Sequence, residues 1–82
     1  MNTSEQTTNF KKGDYLYIQD DNVEILFIFD EVISNRYFTP KYYQIIDGEH
    51  CFKGSGYITT NQEVVEASQD IIDRFLNHPN FV

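Results

Sequence analysis

Val23-Glu24-Ile25-Leu26-Phe27-Ile28-Phe29 is the stretch on which the fold turns. Its β-branched and aromatic side chains suit a pleated strand. Alternation puts Val23, Ile25, Phe27 and Phe29 on one face and Glu24, Leu26 and Ile28 on the other. Glu24 is the only polar residue on the second face, so both faces are expected to be covered, one by a sheet or barrel core and one partly by a helix.

Working outward, Tyr15 to Gln19 is β-prone, with Tyr15 and Tyr17 opposite Leu16 and Ile18. Asp20-Asp21-Asn22 reads as a tight turn, because Asp and Asn tolerate the positive φ that hairpins need. On the other side, Asp30 to Asn35 reads as a loop. Arg36 to Ile46 returns as a strand interrupted at Pro40, which cannot donate to a ladder and marks an edge, a bulge or a break. Asp47-Gly48 is a hairpin signal. Short extended pieces follow at His50 to Lys53, Tyr57 to Thr60 and Glu63 to Ala67, with Gly54-Ser55-Gly56 read as a flexible turn.

Ser68 has the character of a helix N-cap, and Asp70 suits the positive end of the helix dipole. Ile71, Ile72, Phe75 and Leu76 form one apolar stripe, with Gln69, Asp73, Arg74 and Asn77 left for solvent. Pro79 stops the helix. So short a helix is marginal alone and must dock on the sheet, over Leu26 and Ile28. The expected core is Leu16, Ile18, Ile25, Phe27, Phe29, Tyr43, Ile45, Ile58, Val65, Ile72, Phe75 and Leu76. Together these elements predict a mainly β (α+β) domain: a small antiparallel open barrel of five to six short strands with one C-terminal helix.

The chain has 82 residues, enough for one domain, expected over residues 10–82 after a disordered polar tail at 1–9. Thirteen acidic residues against six Lys and Arg give a net charge of −7. Such a balance repels phosphate backbones and anionic membranes, so nucleic acid is an unfavoured partner. The longest apolar run is too short to span a bilayer, and the first nine residues lack the pattern of a signal peptide. Cys51 is the sole cysteine and cannot form an internal disulfide. A cytoplasmic location is the expectation.

The order of elements resembles a group of uncharacterised small SH3-like barrels of gut bacteria and their phages. The resemblance rests on Phe10-Lys11-Lys12-Gly13-Asp14, Ile25-Leu26-Phe27-Ile28-Phe29, Tyr42-Tyr43, Asp47-Gly48, Ala67-Ser68 and Phe75-Leu76, and spans about residues 10–77. It implies an SH3-like barrel and carries no activity with it.

No catalytic, metal or cofactor signature stands out. Strand alternation turns His50 and Cys51 to opposite faces, so they form no nucleophile pair. His78 is expected to cap the helix end or to stand in solvent. Asp20-Asp21-Asn22 lacks the spacing of a calcium loop, and Gly54-Ser55-Gly56 lacks the lysine and helix of a phosphate loop. Lys11, Lys12, Arg36, Lys41 and Lys53 all precede the helix. Gathered on one side with aromatics between them, they would form a single-strand platform, a reading the net charge opposes.

Tyr15, Tyr17, Tyr42 and Tyr57 are the candidate partner-binding residues, since tyrosine combines a large contact area with a polar tip. The alternative is that they are covered by the helix. The expected function is a non-enzymatic protein- or peptide-interaction module, with strand addition at a Pro40-marked edge. The second reading is an acidic decoy that mimics nucleic acid on a basic protein. A homodimer that hides an open edge and an aromatic face is also available to such a sheet.

Overall fold

The computed structural model describes residues 10–81; the expected tail at 1–9 lies outside them. Six strands form one antiparallel sheet: β1 (Tyr15–Asp20), β2 (Val23–Ile28), β3 (Glu31–Ile33), β4 (Arg36–Ile46), β5 (His50–Thr59) and β6 (Val65–Glu66). Helix α1 (Gln69–Leu76) and a 3-10 turn (Pro79–Phe81) follow. The sheet curls into the small open barrel that the strand and turn pattern predicts.

The long β4 organises the sheet. On one side it pairs first with β3 and then with β2, and on the other it pairs with β5 along most of its length. β1 lies beyond β2, and β6 beyond β1. Asp21, Ser34 and Asp47 take positive φ in the hairpin turns, and Gly48 joins Asp47 there, as the Asp-Gly pair predicts.

The alternation read from Val23 to Phe29 holds. Leu16, Ile18, Phe27, Phe29 and Ile58 are buried together on one face, called inner here. Leu26, Ile45 and Phe75 are buried on the other, the outer face, which α1 covers. Ser68 caps the helix, its Oγ accepting from the Ile71 N–H at 3.3 Å.

Several expectations fail locally. Asp30 to Asn35 is not all loop: Glu31–Ile33 is a strand, because Val32 packs into the inner cluster and the segment pairs with the first part of β4. Gly54-Ser55-Gly56 is no turn. It lies within β5, opposite a bulge that sets Pro40 and Lys41 against Ser55. Pro40 therefore sits at a bulge in a strand paired on both sides; among the described residues the strands paired on one side only are the short β3 and β6 and the ten-residue β5. Val65 and Leu76 each keep 39% of their surface. Val65 is on the two-residue edge strand, and Leu76 is the last residue of the helix.

Candidate functional site

β5 pairs only with β4 among the described residues, so its other side is a free edge ten residues long. At its start the edge is held by the C-terminal turn. The His78 ring nitrogen Nε2 lies 3.2 Å from the Gly48 carbonyl, and Asn80 Nδ2 donates to the Glu49 carbonyl at 2.6 Å. Beyond that point Phe52 and Tyr57 stand 51% and 59% exposed.

The glycines explain how β5 stays a strand. Tyr42 is the cross-strand partner of Gly54, and its ring lies over the glycine, where a Cβ would come within 2.8 Å of the phenol oxygen. Gly56 takes a φ of +128°, which L side chains avoid, and a Cβ there would meet nothing within 4 Å. Beside them opens a cavity of about 210 Å³ lined by Ile25, Tyr42, Gln44, Tyr57, Ile58 and Thr59. That is below the range of typical small-molecule sites and suits one side chain.

The charges on this ribbon differ from those of the whole chain. β4 and β5 contain no acidic residue, and they carry Arg36, Lys41 and Lys53, half of the chain's six Lys and Arg. The Arg36 guanidinium lies 5.1 Å from the centre of the Tyr57 ring, which also packs on Phe38 at 4.7 Å. The Lys41 ammonium lies 5.7 Å from the Tyr43 ring, and Lys53 is Tyr43's partner across the strands. Tyr37 and Ile58 are paired and packed inward, so alternation turns Arg36 and Tyr57 to the outer face. Lys53 shares that face with Tyr43. Among the described residues none of the three cations has a carboxylate partner, whereas Lys12 pairs with Asp30 and Arg74 with Glu24.

The four candidate tyrosines separate. Tyr42 and Tyr57 line the cavity together. Tyr15 and Tyr17 pack under α1 on the outer face, and Tyr17 meets the Phe75 ring edge-on at 6.2 Å. The Tyr17 hydroxyl donates to Glu24 Oε1 at 2.7 Å, and Arg74 grips both carboxylate oxygens at 2.7 and 3.3 Å. Arg74 is thus a clamp between helix and sheet, not the solvent residue that helical periodicity predicts. Burial alone would push the Glu24 carboxyl up, but the bonds from Arg74 and Tyr17 outweigh it and its pKa falls. Burial and the neighbouring carboxylate push the Tyr17 phenol up.

Cys51 finds a histidine, though not its neighbour: Sγ lies 3.5 Å from Nδ1 of His78. The Asn80 N–H donates to that same nitrogen at 3.1 Å, so Nδ1 is the acceptor and Nε2–H donates to Gly48. Burial pushes the Cys51 thiol up, away from a reactive thiolate. Among the described residues no cluster of three His, Cys, Asp or Glu could hold a metal ion, and no helix is long and apolar enough to cross a membrane. No protein-family model, curated protein or solved structure matches the chain.

Proposed function

We propose that the chain is a non-enzymatic module that takes up an extended segment of a protein or peptide as an added strand on the free edge of β5. The observation that carries this reading is the edge itself: a strand whose outward N–H and C=O groups have no described strand beside them, with Phe52 and Tyr57 exposed on it. Main-chain bonds to such an edge supply affinity, and alternate side-chain positions supply selectivity. Tyr42 and Tyr57 are the partner-binding tyrosines in this reading, and Tyr15 and Tyr17 serve the fold.

The decoy reading requires carboxylates in a row along one surface. The acid-free β4–β5 ribbon favours the module instead. The raised Cys51 thiol likewise favours a binding role over a nucleophilic one.

The test is selection of binders from a library of random extended peptides, followed by mapping of amide shifts on the full chain. Shifts concentrated on Phe52 to Thr59 support the reading. Shifts confined to α1 or to the β1–β2 turn, or no selected binder, reject it.

A further inference from the structure

Granting that a segment adds to β5, its chemistry is also written on the ribbon. We infer that it is an acidic segment in which carboxylates alternate with apolar side chains. In an added strand, successive residues face opposite sides of the sheet. Those on the outer face come alongside Lys53 and the Arg36–Tyr57 pair. Those on the inner face come alongside Phe52, then Gly54 and Gly56, which present no side chain of their own, and the cavity behind them. One apolar residue of the segment fills that cavity against Tyr42, Ile25 and Ile58.

The net charge of −7 points the other way, toward a basic ligand. Proximity decides against it. Screening at physiological salt acts over about 8 Å, so the groups beside the added strand set its charge preference. Along β4 and β5 these groups are cations without described carboxylate partners; Glu24 and Glu31 flank β4 from the side away from β5, and Asp47 and Glu49 lie in the turn that precedes β5. The same fact opposes a second copy as the occupant. Pairing β5 with itself would bring together Arg36, Lys41 and Lys53 from both molecules, with no acid on either ribbon to offset them.

The experiment uses the full chain and fluorescently labelled peptides of about nine residues, a strand's length. One peptide alternates Asp or Glu with Val, Ile or Phe. A second replaces every acid by Lys. A third keeps the acidic composition but groups acids and apolar residues in two blocks. The alternating acidic peptide is expected to bind about tenfold tighter than either control, the sum of several exposed ion pairs, and to weaken as salt is raised. The double variant Lys53→Glu, Arg36→Glu, altered at two exposed positions, is expected to reverse the preference toward the lysine peptide. Equal or tighter binding of the lysine peptide to the unaltered chain overturns the charge assignment while leaving strand addition standing. Equal binding of the block peptide overturns the alternation. A β5-mediated dimer in light scattering, lost in a Ser55→Pro variant, makes a second copy the occupant and overturns the inference. If none of the peptides binds or shifts a β5 amide, both this inference and the added-strand reading fall.

Discussion

The Tyr42 ring occupies the place where a side chain on Gly54 would stand, 2.8 Å from Cβ to phenol oxygen. The contact joins the edge strand to the wall of the cavity. Gly54→Val is therefore expected to destabilise the chain by about 1–3 kcal/mol through overpacking and to turn Tyr42 out of the cavity. Chemical denaturation measures the first effect and the Tyr42 ring resonances the second. An unchanged midpoint with unmoved resonances contradicts the contact.

Glu24 and Arg74 fasten the helix to β2. Because the Glu24 pKa is lowered by folding, its stabilising effect is present above the ordinary carboxylate range and is lost as pH falls through the lowered value. Glu24→Gln should cost about 1 kcal/mol at neutral pH, a modest figure because the guanidinium is half exposed. The gap from the unaltered protein should close in acid. A gap independent of pH contradicts the assignment. Tyr17 acts in the opposite direction at alkaline pH: its raised pKa makes folding favour the neutral phenol, and that contribution disappears as pH rises through the raised value.

Phe27 and Phe75 are fully buried on opposite faces of the same sheet. Each change to Ala is expected to cost roughly 3–5 kcal/mol, most of the stability of a domain this small. For the same reason truncation after Ala67 should unfold the chain, since it uncovers Leu26 and Ile45. A dispersed amide spectrum from the truncated chain would show that α1 is dispensable to the fold.

Cys51 should react more slowly than free cysteine with thiol reagents at neutral pH, because partial burial raises its pKa and lowers the thiolate fraction. His78→Ala removes both the partner of Sγ and the bond to Gly48, and labelling should then accelerate. A rate in the unaltered protein equal to that of free cysteine contradicts the placement.

What was legible in the residues was what local periodicity records. Val23 to Phe29 announced a strand covered on both faces, Asp47-Gly48 its turn, and Ser68 its helix cap. What failed depended on partners far away along the chain. Glu31–Ile33 is a strand because β4 is long enough to pair with both β3 and β2. Gly54 and Gly56 carry a turn signal in sequence, but Tyr42 and the bulge across the sheet give them a place in β5. Arg74 meets a carboxylate fifty residues earlier, and Cys51 meets His78 rather than the histidine beside it. Of the four tyrosines, strand alternation could not separate the pair under α1 from the pair at the cavity. That division follows from register between strands and from the side of the sheet on which the helix docks.

Strand addition to β5 is tested most directly by amide hydrogen exchange along Phe52 to Thr59, with and without the alternating acidic peptide. In the free chain the N–H groups that point away from β4 should exchange quickly, while those bonded to β4 are protected. With peptide bound, the outward groups should slow by at least about tenfold, in an every-second-residue pattern. Protection that stays unchanged along β5 while the peptide is demonstrably bound would contradict the account.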